Sequence, residues 1–271
     1  MIISDTHLHT SFSSDSTAPM EDMIKKALSL GLKTICFTEH YDPDFPVLDN
    51  GMDFSLDFDA YYDSWKELSE KYVNQIEVLH GIELGVQPYL KTELNEFYKN
   101  YGSRYDFIIN SCHLVNRMDP YEKEYFELYG PKEGLLKYFE EVYQNLQCFE
   151  HYQTVGHLDY AARYMPHPRP EFSYASYKEI LDAILSYIIK KDKALEVNTS
   201  GLKAGLPWPN PHMDILKRYQ QLGGKKITIG SDAHRPEHMA YDFVKLPGIL
   251  KEAGFDHYEL YRKRKEYLIP L

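Results

Sequence analysis

The first residues of this 271-residue chain with the makings of chemistry are Asp5-Thr6-His7-Leu8-His9. They follow Ile2-Ile3, a short β-branched run that suits a buried strand. Alternate side chains of a strand share one face, so Asp5, His7 and His9 point the same way. Two imidazoles at i and i+2 can grip one metal ion. Asp15 follows in the polar loop of residues 10–16 and offers a carboxylate.

Other apolar runs end in the same kind of residue. The predicted strand 34–38 ends in Glu39-His40, 76–82 in Glu83, 106–112 in His113, 154–156 in His157-Leu158-Asp159, and 226–231 in Asp232-Ala233-His234. A sixth, 194–198, ends in Asn198-Thr199-Ser200. Of twelve histidines, His7, His9, His40, His113, His157 and His234 fall at predicted carboxyl ends of strands, with Glu83 and Asp232 among them. The others (His80, His151, His167, His212, His238 and His257) sit mid-strand, in helices or in loops, and read as structural or solvated. Burying so many imidazoles without partners is costly, and divalent cations are the economical partner. Mixed imidazole and carboxylate ligation suits zinc, iron or manganese better than calcium or magnesium. With Asp15 there are nine candidate ligands, more than one or two ions need if each keeps a water; three ions fit the number. Their charge outweighs that of the three carboxylates, so the pocket would be cationic and suited to a phosphate.

The elements that must position these residues alternate regularly. Predicted helices cover 20–30 (ended by Gly31), 58–72, 87–100, 133–149, 177–190, 211–222 and 240–253. Residues 41–60 and 116–130 read as polar excursions, 164–173 as a proline-bearing loop, and the tail is charged and aromatic. Seven strand–helix units without a break in composition predict one α/β domain over residues 1–271 with a parallel sheet, close to a barrel. In parallel barrels the loops after the strands form the active face, so residues from His7 to His234 would meet at one mouth. No GxGxxG follows the first strand, and there is no P-loop, low-complexity segment or internal repeat.

Composition bounds the partners. A net charge of −11 argues against general nucleic-acid binding, while 43% hydrophobic residues are enough for a real core. Cys36, Cys112 and Cys148 have no framework spacing, which fits a reducing cytoplasm. No signal peptide and no apolar run of about 18 residues are present, so a cytoplasmic protein without a membrane span is expected. Most of the 24 tyrosines read as half-buried packing residues.

The motifs Asp5-Thr6-His7-Leu8-His9, Thr38-Glu39-His40, Gly81-Ile82-Glu83, Ser111-Cys112-His113, Gly156-His157-Leu158-Asp159 and Ser231-Asp232-Ala233-His234 occur in this order over nearly the whole chain. As a set the sequence resembles the PHP (polymerase and histidinol phosphatase) family, in particular its stand-alone histidinol-phosphate phosphatases. The resemblance implies a distorted (β/α)7 barrel, TIM-like, with a trinuclear metal centre. It implies one ion on His7, His9, Glu83 and Asp232, a second on Asp15, His40 and His234, and a third that Glu83 bridges to with His113 and His157. Some members carry histidine where this chain has Asp15, so a hard oxygen replaces a nitrogen there. Asp5, Glu39 and Asp159 are read as carboxylates behind the ligands, since ligating imidazoles usually donate their free N–H to a carboxylate or carbonyl.

The implied reaction is hydrolysis of L-histidinol phosphate in histidine biosynthesis. Metal coordination lowers the pKa of water from about 16 to about 7, so a hydroxide bridging two ions can attack phosphorus in line, without a phosphoenzyme. Arg117 and Arg163 lie just past the rim and could clamp phosphate; Asn198 and Ser200 could add hydrogen bonds. The leaving alkoxide needs a proton from a metal-bound water, Asp232 or His234. The amino and imidazole end of histidinol wants acidic or aromatic partners, and Asp42, Asp44 and Tyr160 are available. The rivals are another PHP phosphoesterase (a protein-tyrosine or nucleotide phosphatase), a non-catalytic metal-stabilised PHP module, and an amidohydrolase barrel. The last usually needs a carboxylated lysine, and no lysine here sits at a strand end.

Overall fold

The computed structural model describes residues 2–46, 53–166 and 172–271. His167, residues 47–52 of the first predicted excursion and residues 167–171 of the proline-bearing loop lie outside the described residues.

Seven parallel strands stand in chain order: β1 (Ser4–Leu8), β2 (Thr34–Tyr41), β3 (Glu77–Gly85), β4 (Phe107–Ser111), β5 (Thr154–Val155), β6 (Ala194–Asn198) and β7 (Ile227–Gly230). The ends meet. Leu8 forms a parallel bridge with Ala233, while the Asp232 N–H donates to the His7 carbonyl at 2.9 Å and the His9 N–H to the Ala233 carbonyl at 3.0 Å. The sheet is thus nearly closed into a barrel, its first and last strands joined through the backbone at the carboxyl rim and, further in, by Thr6 Oγ1 donating to the Ile229 carbonyl at 2.8 Å. The strands are buried almost throughout, as expected of a parallel sheet covered by helices.

The helices follow from their apolar spacing. In α1 (Met20–Ser29), Met20, Met23, Ile24 and Ala27 are buried on one stripe and Glu21 and Asp22 sit in the first turn. Gly31, at φ 74°, turns the chain into β2. Asp57 caps α2 (Phe58–Tyr72) by accepting the Ala60 N–H at 3.0 Å. The remaining helices are α3 (Lys91–Tyr101), α4 (Lys123–Cys148), α5 (Lys178–Lys190), the short α6 (Ser200–Lys203), α7 (Met213–Gln221) and α8 (Leu246–Ala253).

Three expectations need correction. The excursion predicted at 116–130 is partly helical: α4 begins at Lys123 and kinks where Gly130 takes φ 71° and ψ 163°. Pro131 then opens the second half, where a helix needs no N–H donor. The last helix starts at Leu246, not 240, because Ala240 and Asp242 hold left-handed backbone at φ 51° and 55°. The tail is an antiparallel hairpin of β8 (His257–Arg262) and β9 (Lys265–Pro270), turned at Lys263 and Arg264 with φ 48° and 62°.

That hairpin closes the amino-terminal end of the barrel. Leu260 and Tyr261 pack with Cys36, Leu79, Phe107, Ile109 and Ala194 in a small core of their own. Tyr258 Oη lies 3.1 Å from Ser4 Oγ, and Arg262 pairs with Glu77 through two hydrogen bonds of 2.5 and 2.7 Å. The apolar floor leaves the opposite end for polar side chains. Among the described residues no helix is long and apolar enough to cross a membrane.

Candidate metal centre

Glu83 lies at the middle of the carboxyl-end cluster. β3 runs on to Gly85, so Glu83 is within the strand and directly opposite His40 of β2. Its Oε2 faces one group of imidazoles: His7 Nε2 at 3.0 Å, His40 Nδ1 at 3.1 Å and His9 Nε2 at 3.4 Å. Its Oε1 faces another, His157 Nε2 at 2.8 Å and His113 Nε2 at 3.2 Å, and also accepts from Ser111 Oγ at 2.6 Å. One fully buried carboxylate therefore looks toward two ligand groups at once.

The third group lies on the outer side. His234 Nε2 stands 3.0 Å and His40 Nε2 3.7 Å from Asp15 Oδ2. His9 stacks between His40 and His234, with ring centroids 4.2 Å from each. Asp232 Oδ1 is 3.6 Å from His9 Nε2, 3.7 Å from His234 Nδ1 and 3.9 Å from His7 Nε2. Asp232 reaches this position from left-handed backbone at φ 56°, strain of the kind that collects at functional sites. All nine predicted ligands thus meet at one mouth.

These residues fit divalent ions. His7 Nε2, His9 Nε2, His40 Nδ1, His234 Nε2 and Glu83 Oε2 are buried without a hydrogen bond, which is costly for polar atoms unless another partner takes them. Ligand bonds of about 2.0–2.2 Å place neighbouring donors roughly 3.0–3.5 Å apart, the spacing seen around Glu83. Donor atoms of His7, His9 and Glu83, of Glu83, His113 and His157, and of His9, His40 and His234 each fall within 4.8 Å of one another. Nitrogen and carboxylate oxygen in this mixture suit a transition ion.

The charges agree. Burial works to raise the Glu83 carboxyl, but His7, His40 and His113 hold it well below the usual carboxylate range. Burial, then His234 and His40, push the His9 imidazole well below its ordinary value. An ionised carboxylate and a neutral imidazole are the forms that bind metal.

The groups behind the ligands differ from expectation. His7 Nδ1 donates to Glu196 Oε1 at 2.6 Å, and Glu196 Oε2 accepts the His157 backbone N–H at 2.7 Å. His113 Nδ1 donates to Asp42 Oδ1 at 2.6 Å, so Asp42 faces the centre's own histidine rather than a substrate. His9 Nδ1 meets Ser13 Oγ at 3.0 Å, and His234 Nδ1 the Asp232 carbonyl at 3.1 Å. Glu39 acts one step further back, accepting from Ser13 Oγ at 2.6 Å and from Thr10 N at 2.9 Å. Asp5 accepts from Ser231 and from the Ala240 N–H, and Asp159 from Asn210 and the His212 N–H. Those two carboxylates therefore brace loops instead of receiving an imidazole. Sequence reasoning missed Glu196; its signal is a lone carboxylate amid the apolar residues of β6.

The arginines part company. Arg163 is buried in the wall, donating from Nε to Asn210 Oδ1 at 2.6 Å and from Nη1 to Asp232 Oδ2 at 3.2 Å. Ser200 Oγ reaches the same Asp232 oxygen at 3.2 Å, and Asn198 Oδ1 accepts the Ser200 N–H at 2.9 Å. Arg117 instead makes a bidentate ion pair with Asp44, and both are largely exposed. In this structure its guanidinium is engaged by Asp44. Tyr160 packs its ring 5.1 Å from His157 and 5.7 Å from His113.

Comparison with known proteins gives the same picture. The PHP domain family model matches residues 5–200. A histidinol-phosphatase of Lactococcus lactis is 35% identical over 252 residues, 93% of this chain and 91% of the relative. A probable histidinol-phosphatase of Clostridium acetobutylicum is 34% identical over 89% of this chain and 90% of its own length. The crystal structure of the Lactococcus lactis histidinol phosphate phosphatase, complexed with zinc, L-histidinol and phosphate, superposes with a TM-score of 0.87 at 33% identity, covering 97% of this chain and 98% of that one.

Proposed function

The chain belongs to the PHP domain family, and from that premise we propose that it is a metal-dependent phosphomonoesterase that hydrolyses L-histidinol phosphate to L-histidinol and phosphate. The observation that carries this reading is Glu83 set between two imidazole groups, with Asp15, His40 and His234 forming a third set beside them. The reading is of one domain over residues 1–271, cytoplasmic, serving histidine biosynthesis. It places three divalent ions of zinc, iron or manganese: one on His7, His9, Glu83 and Asp232, one on Asp15, His40 and His234, and one on Glu83, His113 and His157.

Such ions supply Lewis-acid charge to phosphate oxygens and lower the pKa of water to about 7. The chain's own residues do the rest. Glu196 and Asp42 fix the tautomers of His7 and His113, so each presents Nε2 to the centre. Arg163 and Ser200, both beside Asp232, orient the phosphate, with Asn198 holding Ser200 in place. Ring stacking and burial of His9 exclude solvent from the inner wall. Asp232 and His234, 3.7 Å apart at the mouth, handle the proton that the leaving alkoxide takes up. Arg117, paired with Asp44 at the exposed rim, is the second candidate for the phosphate grip.

A substrate panel tests the reading. The metal-loaded protein is expected to release phosphate from L-histidinol phosphate with a kcat/KM orders of magnitude above that for phosphotyrosine or nucleoside monophosphates. Preference for either of those would move the chain to another activity of the family. Turnover of none would make it a metal-stabilised module without catalysis.

A further inference from the structure

The mouth of the barrel is divided by charge. On the β6–β7 side stand Arg163 and, beyond it, Lys203, whose partly buried ammonium lies in the field of Asp232, Arg163, Arg235 and Asp15. That flank suits a phosphate. On the flank beyond His113 and His157, Arg117 is taken up by Asp44, and the Arg163 guanidinium lies 5.2 Å over the Tyr160 ring. Besides Asp42 and Asp44, that flank carries a carboxylate set among tyrosines.

The carboxylate is Asp119, and the chain goes to some length to place it. After His113 the backbone folds into a two-residue turn: Val115 and Met118 exchange N–H···O bonds of 2.9 and 3.0 Å, with Asn116 and Arg117 at φ 50° and 64°. Positive φ at both central residues is expected of such a tight turn, and it is costly for arginine. The turn delivers Asp119 back against Tyr160. Asp119 Oδ1 accepts from the Tyr121 N–H at 2.8 Å and from Tyr160 Oη at 3.2 Å. Among the described residues no hydrogen bond reaches Oδ2, and the residue is partly exposed. Tyr160, Tyr164 and Tyr121 stand around it, with Tyr160–Tyr164 and Tyr164–Tyr121 centroids 5.0 and 5.3 Å apart. The carboxylate is therefore one phenol ring away from the His113–His157 pair.

We propose that Asp119, held by Tyr160, is the specificity-determining residue that receives the cationic end of the leaving alcohol. The inference rests on the reading of the chain as a phosphatase of L-histidinol phosphate. That substrate has its phosphate and its amino and imidazole groups on opposite sides of a short carbon chain. With the phosphate on the ions and Arg163, its cationic end extends past Tyr160. An acceptor-only carboxylate beside aromatic faces is the surrounding that recognises an ammonium or imidazolium. Burial pushes the Asp119 carboxyl up to about 6, and a cation delivered against it restores the ionised form. The Tyr160 hydroxyl fixes the carboxylate at Oδ1, which leaves Oδ2 for the ligand.

The test compares Asp119→Asn and Tyr160→Phe with the wild type, all metal-loaded and full length, on L-histidinol phosphate and on p-nitrophenyl phosphate, which bears no cation. For Asp119→Asn the ratio of kcat/KM values, histidinol phosphate over p-nitrophenyl phosphate, is expected to fall about 10- to 100-fold, chiefly through KM. Tyr160→Phe keeps the carboxylate but loses its donor, and is expected to shift the ratio the same way by less. A ratio within about twofold of wild type in Asp119→Asn, or equal losses on both substrates, overturns the inference alone. A wild-type protein with no preference for the cationic substrate overturns the phosphatase reading as well.

Discussion

Glu196 Oε1 lies 2.6 Å from His7 Nδ1 while its Oε2 accepts the His157 backbone N–H. One buried carboxylate of β6 thus sets a candidate ligand from β1 and another that follows β5. It ties together residues that are 150 positions apart in the sequence. Replacing Glu196 by glutamine keeps the shape but offers an amide that can turn its NH2 toward His7 and favour the wrong tautomer. Metal affinity, read by competition with a chelator, is expected to fall about 10- to 100-fold with the fold intact. An affinity equal to wild type would show that the tautomer does not matter here.

Removing a ligand itself should do more. His157→Ala and Asp232→Ala are each expected to abolish phosphate release while the far-ultraviolet circular dichroism stays that of a folded barrel. Full activity in either variant would remove that residue from the centre.

Gly230 offers a steric route to the same site. A methyl there would collide with His7 Cβ and come within 2.7 Å of Glu196 Oε1. Both atoms are locked in the barrel wall, so the pair must separate. Gly230→Ala is expected to lower bound metal per chain, measured by elemental analysis, and to lower turnover with it. Unchanged metal content and rate would show that the wall yields.

The floor of the barrel carries a pH dependence of its own, remote from the metal ligands. Burial raises the Glu259 carboxyl from 4.5 to about 7, against the pull of the Ile227 N–H, His257 and Lys226 and with help from Glu266. The protonated form is favoured in the folded state, so the stability it contributes is complete below about 4.5 and is lost as pH rises through about 7. Glu259→Gln removes the slope, and its amide oxygen still accepts the Ile227 N–H. At pH 8 the variant is expected to be more stable by on the order of 1–2 kcal/mol, and at pH 4 equal to wild type. Parallel denaturation curves from pH 4 to 8 for the two proteins would contradict this.

Much of the centre is legible in the chain because its candidate ligands stand at or near the carboxyl ends of apolar runs. A strand that is buried on both faces reads as an apolar run, and the residue that stops the run is where the rim begins; His40, Glu83, His113, His157 and Asp232 all announce themselves so. Glu196 does not, because it interrupts a run instead of ending one. The sequence position of Asp42 gives its nearness to the rim but not its direction, and the fold turns it onto His113. The hairpin is hidden in the sequence for another reason. β9 is exposed nearly throughout, so its residues lack the alternation that marks a strand. The first half of α4 is hidden by Gly130-Pro131, a pair that reads as a stop but here only bends the helix.

The central claim is that distant imidazoles and carboxylates cage cations without which the phosphate ester is not cleaved. The most direct measurement is the rate of phosphate release from L-histidinol phosphate by chelator-stripped protein as manganese or zinc is titrated back. The account predicts no turnover in the stripped protein and recovery that saturates at about three ions per chain. Full turnover by protein shown to be free of metal would contradict it.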